Sequence, residues 1–287
     1  MGALQLVRLP PLMSRSQGRA EVAVALIDGP VALDNPDLAQ STIREIPAAV
    51  GASCSRRESV ACMHGTFVAG MLVARRGSQA PAICPGCTLL LRPIFTENKN
   101  GNGQMPSATP EELAMAITDV IGAGANVINL SAALTNPSSR GEHQLEQALD
   151  YASQRGVLVV AAAGNQGTVG SSAITRHPWV IPVVACDLQG RPTAESNLGS
   201  SIGRWGLAAP GESIVSLGGD GKPQTSSGTS AAAPFVTGAI ALLWSEFPNA
   251  SAAQIKLAVT QAGRPPRRTI APPLLDAWAA YEAMSRN

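Results

Sequence analysis

The sequence predicts an α/β fold of three layers: a mostly parallel central sheet with helices on both faces. Three observations lead there. Short, nearly continuous apolar runs recur along the chain, as strands covered on both sides require. Segments of helical spacing separate them, and strand–helix alternation builds parallel sheets. The 287 residues are 45% hydrophobic but only 3% aromatic, with 28 glycines, so small side chains dominate and helices can sit close on a sheet.

Taken in order, residues 1–20 read as an N-terminal arm, and EVAVALID (Glu21–Asp28) is the first strand. His64 opens a helix, HGTFVAGMLVA, in which Phe67, Val68, Met71 and Leu72 fall on one face. TLLLRPIF is a strand. TPEELAMAITDVIGAG is a helix: Thr109 caps it, Pro110 suits its first turn, and Glu111 and Glu112 face its positive end. NVINLS is a strand, GEHQLEQALDYASQRG a helix ending at Gly156, and VLVVAAAG and VIPVVAC are further strands. A helix from about Ser230, a second over SAAQIKLAVTQAG and a last near PPLLDAWAAYEAM complete the pattern. There is no internal repeat and no Pro/Ser-rich linker. The polar loop TENKNGNGQMPSA is too short to separate domains, so residues 1–287 are expected to form one domain, with the possibility of further domains after Asn287 left open.

The net charge of +1 gives no electrostatic argument for nucleic acid. No apolar run approaches the ~18–20 residues of a membrane span, and the opening residues lack the apolar centre of a secretory signal. A cytoplasmic location is expected, with neither nucleic acid nor membrane as partner. The five cysteines are Cys54, Cys62, Cys84, Cys87 and Cys186. Pro85-Gly86 favours a turn that brings Cys84 and Cys87 together, and Cys54–Cys62 closes a short loop. Disulfides, free thiols and zinc remain open for these pairs, although zinc needs four ligands and only one pair is spaced CxxC. Cys186, inside VIPVVAC, reads as a core residue.

In open parallel sheets, sites gather at the carboxyl ends of strands. Asp28 closes the first strand there, His64 and Ser230 stand at helix openings, and Asn165 follows the strand VLVVAAAG. Each has an ordinary reading alone: a turn Asp, a polar helix-start His, an N-cap Ser, a turn Asn. Together they make a chemical set. A hydroxyl needs a base within hydrogen-bond reach, and the base needs an orienting carboxylate. Helix-start N–H groups and an Asn amide can face a developing oxyanion. Gly228 lets the backbone turn before Ser230, and Pro234 is expected within the first helical turn.

LIDGPV, HGTFVAG, VINLS, AAAGNQG, LAAPGESIVS and GTSAAAPFVTGAIALL resemble, in order, the signature blocks of the subtilisin-like serine proteases, over roughly Glu21 to Gly263. The resemblance implies a peptide hydrolase with Asp28, His64 and Ser230 as the triad and Asn165 as the oxyanion amide. It implies a peptide substrate pairing with Ser131, Ala132 and Ala133 on one edge and Gly103, Gln104 and Met105 on the other. Ala163, Gly164 and Gln166 are expected to shape the primary pocket. No cofactor and no catalytic metal are expected. Two positions depart from the family pattern: Ser131-Ala132-Ala133 stands for Ser-Leu-Gly, and Ala231 stands for the Met after the serine. Relatives bind calcium in surface loops, but DNPD (Asp34–Asp37) and TENKNGNG are expected to be ordinary polar turns.

HGTFVAGMLVARRGSQAPAICPGCTLLLRPIF, with GQMPSATPEELAMAI, is similar more narrowly to the PatA-type proteases of cyanobactin biosynthesis. Those remove leaders from ribosomally made precursor peptides. PatG-type relatives cyclise the core peptide and carry a helical cap between the catalytic Asp and His. The short stretch between Asp28 and His64 leaves little room for a cap, so hydrolysis is expected. Too few residues precede Asp28 for the propeptide domain of many subtilases, so propeptide-independent folding or prior removal is expected. A general degradative protease, an inactive peptide-binding scaffold and a macrocyclase are the competing readings.

Overall fold

The computed structural model describes residues 2–48, 51–97, 108–131, 139–261 and 269–286, with no side chains described at 139–141. Five of the expected core strands are present: β1 (Ala23–Asp28), β3 (Thr88–Pro93), β4 (Val127–Leu130), β5 (Leu158–Ala162) and β6 (Val180–Cys186). With β2 (Thr42–Glu45) and β7 (Leu207–Pro210) they form one parallel sheet of order β2-β3-β1-β4-β5-β6-β7. An antiparallel hairpin, β8 (Ile214–Leu217) with β9 (Pro223–Ser226), stands apart from it.

The pleat sorts the core into two layers. Val24 and Leu26 of β1 join a cluster with the helices α3 (Val60–Val73) and α8 (Thr229–Glu246). Ala23, Ala25 and Ile27 join the opposite cluster, with α4 (Pro110–Gly122) and α5 (Ser139–Gln154). Asp28 continues the Val24–Leu26 side, because strand side chains alternate with period two. That places its carboxyl on the α3 face. Both α3 and α8 are apolar nearly all round, as helices covered on every side must be. The short helices α6 (Ala173–Arg176) and α7 (Ser200–Trp205) follow β5 and β6, and α9 (Ala252–Gln261) and α10 (Ala277–Ser285) close the chain.

Several expectations need correction. The helix carrying His64 begins at Val60, so His64 lies one turn inside it; Ser59 is the N-cap, and its hydroxyl accepts from the Cys62 N–H at 3.1 Å. The N-terminal arm carries secondary structure that the sequence reading does not assign. Residues 3–15 form α1 (Ala3–Leu6) and α2 (Leu9–Arg15), burying Val7, Leu9 and Leu12, and the Val7 carbonyl accepts from Ala277 N–H. Pro234 sits in the second turn of α8, where it cannot donate to the Ser230 carbonyl. The α4 reading holds in detail: the Thr109 hydroxyl accepts from Glu112 N–H at 3.2 Å, and the Glu112 carboxylate accepts from Thr109 N–H at 2.9 Å.

Cys54 and Cys62 form a disulfide. Cys84 and Cys87 are not bridged; they are buried thiols hydrogen-bonded to each other. That bond and burial push the Cys84 thiol well up, whereas Cys87, accepting from Cys84 and from the Arg19 backbone, is held below the usual thiol range. Cys186 is a buried thiol on β6, pushed up to about 12 by burial and by Asp187. Among the described residues no helix is long and apolar enough to cross a membrane.

Candidate active site

The first half of the site is built where β1 meets α3. A Cβ on Gly29 would collide with the Ala61 carbonyl, and one on Gly65 would come within 2.5 Å of the Gly29 and Pro30 carbonyl oxygens. Two glycines therefore let strand end and helix touch backbone to backbone. The consequence is a 2.7 Å hydrogen bond between His64 Nδ1 and Asp28 Oδ1, with Asp28 fully buried and His64 7% exposed. Gly29 N–H donates to the same oxygen at 2.6 Å. Asp28 Oδ2 is buried without a hydrogen-bond partner among the described residues. A carboxylate short of donors keeps much of its field for its one ionisable partner, His64. The pairing selects the tautomer with hydrogen on Nδ1 and leaves the Nε2 lone pair to act as a base.

The second half is the amino terminus of α8. Gly228 precedes it at φ 114°, with no side-chain cap. Asn165 takes the place of a cap: its Oδ1 accepts from Thr229 N–H at 2.8 Å and from the Thr229 hydroxyl at 3.0 Å. With the oxygen engaged, Nδ2 is the free donor of that amide. The Thr229 hydroxyl also accepts from Gly164 N–H at 3.2 Å. Ser230 follows, half-buried. Among the described residues neither its N–H nor its hydroxyl has a hydrogen-bond partner, so Asp28 and His64 are joined while Ser230 and His64 are not hydrogen-bonded in this structure. Catalytic contacts of unliganded sites are commonly open and close with substrate. The hairpin leading into α8 is stitched beside His64: Gly219 N–H donates to Met63 Sδ at 3.2 Å.

Of the expected substrate-contacting residues, Gly103, Gln104, Met105, Ala132 and Ala133 lie outside the described residues. Ser131 is buried; its hydroxyl accepts from Asn129 Nδ2 at 3.1 Å, and Asn129 Oδ1 accepts from the Thr237 hydroxyl of α8 at 2.8 Å. Ala163 is buried, Gly164 half-buried and Gln166 exposed. Asn197 braces this loop, donating to the Ala163 carbonyl at 3.2 Å and to Gln166 Oε1 at 2.7 Å while accepting from the Gln166 and Thr168 N–H groups. Sequence reasoning missed Thr229, Asn197 and the Asn129–Thr237 link. Their only local signal is proximity to the quoted motifs.

Among the described residues the one group with metal-ligand spacing is Cys54, Cys62 and Glu97, and its two sulfurs are already bonded to each other. DNPD is a turn in which Asn35 Oδ1 accepts from Asp37 N–H, and Arg57 and Arg75 pair with Asp34 and Asp37.

A seven-stranded parallel sheet with an aspartate–histidine pair at its strand ends and a serine at a neighbouring helix terminus defines a class: the serine hydrolases of α/β architecture. The chain belongs to the subtilase family, whose peptidase model matches residues 19–270, and is a subtilisin-like serine protease. It is 30% identical to Subtilisin DY of Bacillus licheniformis over 258 residues, covering 88% of this chain and 87% of that one. It spans 51% of a thermostable alkaline protease of Halalkalibacterium halodurans, at 32% identity. In three dimensions it is similar to the protease domain of PatA (TM-score 0.82, 30% identity, covering 94% of this chain and 97% of PatA's). The prenylagaramide maturation protease PagA is comparably similar (TM-score 0.81, 28% identity, covering 96% and 98%). The PatG macrocyclase domain, at 22% identity, shares the fold.

Proposed function

We propose that the chain is a serine endopeptidase that removes the leader from a ribosomal precursor peptide in a cyanobactin-type maturation. Ser230 Oγ attacks the scissile carbonyl as His64 Nε2 takes its proton. Asn165 Nδ2 and the Ser230 N–H hold the oxyanion. The tetrahedral species collapses, the C–N bond breaks, and His64 protonates the departing amine. Water then attacks the acyl-enzyme and gives a proton to His64, the acid product leaves, and Ser230 is reprotonated. Asp28 holds the imidazole in the useful tautomer throughout.

The observation that carries this reading is the 2.7 Å Asp28–His64 pair on the same face as an uncapped helix start whose neighbouring amide is already anchored by Thr229. The likeness to PatA and PagA, both maturation proteases of peptide products, supports the leader-removing role. Between β1 and α3 the described residues hold only a 3₁₀ turn (Pro36–Leu38) and β2, which favours open water access and hydrolysis over ring closure. The test is incubation with a leader–core precursor, followed by product masses. A single cut yielding linear core peptide supports the proposal. Ring product would make it a macrocyclase, and broad digestion of casein a degradative enzyme. The location within the cell is proposed to be the cytoplasm, where such precursors are made.

A further inference from the structure

Residues 55–59, which lead into α3, have little backbone pairing: among the described residues Ser59 N–H donates to the Arg56 carbonyl, and the Ser59 carbonyl accepts from Met63 N–H. Asp34 pairs with the Arg57 side chain, but the N–H and hydroxyl groups of the segment converge on the carboxylate of Glu97. Glu97 Oε2 accepts from the Ser55 N–H at 2.8 Å and its hydroxyl at 2.5 Å, and Oε1 accepts from the Arg56 N–H at 2.8 Å and the Ser59 hydroxyl at 3.1 Å. Burial pulls the Glu97 carboxyl upward, but these donors outweigh it and hold it below the usual carboxylate range. The Ser59 hydroxyl donates to Glu97 and accepts from Cys62 N–H, so it passes the restraint directly into the first turn of α3. Cys62 is also tied by its disulfide to Cys54, at the other end of the same loop.

Glu97 is itself well anchored. Ile94 N–H donates to the Asp28 carbonyl at 2.9 Å, and Phe95 is buried. The same short segment therefore touches the backbone of Asp28 and, through Glu97, fixes the entry of the helix that carries His64. It also leads into residues 98–107, which include the expected substrate-edge residues Gly103, Gln104 and Met105.

We infer that Glu97 is a positioning residue: through Ser59 it sets the axial placement of α3 and so the alignment of His64 against Asp28 and Ser230. The inference rests on the triad reading above. Nothing in it requires Glu97 to touch substrate.

The test uses a fluorophosphonate, whose reaction with the active serine needs no knowledge of the natural substrate. Rates of inactivation are measured for the full chain over pH 5–9, alongside thermal unfolding. Glu97→Gln keeps the shape but loses acceptor capacity. Ser59→Ala cuts the link to α3 without changing charge, and Ser59→Thr restores the hydroxyl. Glu97→Gln and Ser59→Ala are each expected to lower the limiting inactivation rate about tenfold to a hundredfold, the scale of a small misplacement, with the half-saturating concentration within about twofold. The acid limb of the profile should move to lower pH, because an imidazolium less well paired with Asp28 is less stable. Ser59→Thr should recover most of the rate. Rates within about twofold of the parent in folded Glu97→Gln and Ser59→Ala protein, or losses with an unmoved acid limb, would overturn the inference. Should Glu97→Gln fail to fold, the Ser59 pair decides alone. His64→Ala separates the two levels: an unchanged rate there refutes the triad, whereas a collapsed rate beside a normal Glu97→Gln refutes only the role of Glu97.

Discussion

Two helix starts in this molecule solve the same problem in opposite ways. At α4, Thr109 and Glu112 form a reciprocal capping box, Pro110 removes a donor, and Glu111 joins Glu112 in the first turn. At α8, a glycine stands at the cap, no acid lies in the first turn, and the nearest amide borrows only the Thr229 N–H. Every α-helix begins with N–H groups that have no partner within it. Where local side chains satisfy them, the terminus is structural. Where no local side chain caps them, as at α8, the N–H groups stay open, and the proposed mechanism uses that opening to receive the oxyanion. On that proposal, the difference between α4 and α8 is the difference between a structural end and a reactive one.

Substitutions can break or sharpen that contrast. Ser230→Ala should abolish turnover, by several orders of magnitude, while thermal unfolding stays at the parent value. Asn165→Ala should lower kcat about 10²–10³-fold with KM nearly unchanged; that range is the one known for the oxyanion amide of subtilisin, a member of this family. Gly228→Ala should also cost activity, because its φ of 114° suits glycine and a Cβ there would lie 2.9 Å from Asn165 Nδ2. Its effect should appear in both kcat and the unfolding midpoint. By contrast, Thr109→Ala at α4 should cost about 1 kcal/mol in denaturant titration and leave kcat alone. A loss of kcat there would mean that the two termini are not distinct in kind.

A last effect, on stability alone, lies at the far end of the sheet. Lys256 donates to the Pro178 carbonyl beside the Trp179 ring, and burial lowers its amine to about 8 from the ordinary 10.5. Between those values the unfolded chain binds more protons than the folded one, so this residue makes stability rise with pH. Denaturant midpoints at pH 8 and pH 10 should show that rise, and Lys256→Met should flatten it without touching catalysis.

The sheet strands that carry the site were legible because each is an apolar run in a parallel core, and α4 was legible because its cap is written in consecutive residues. β2 and the β8–β9 hairpin were not, since exposed and polar residues interrupt them, and β7 is a short LAAP segment with no long apolar run. The start of α3 was misread for a similar reason: its cap, Ser59, lies in a polar loop whose order comes from Glu97 and from the Cys54–Cys62 bridge. Asp28, His64, Asn165 and Ser230 could be picked out by residue type and flanking motif. Thr229, Asn197 and Glu97 could not, because their work is to hold other groups, and such roles leave no pattern along the chain.

The most direct test of the central claim is the site of covalent labelling. After reaction with a fluorophosphonate at pH 8, peptide mapping by mass spectrometry should find one adduct, on Ser230, absent from Ser230→Ala and formed far more slowly in His64→Ala. An adduct on another residue, or an undiminished rate without His64, would contradict it.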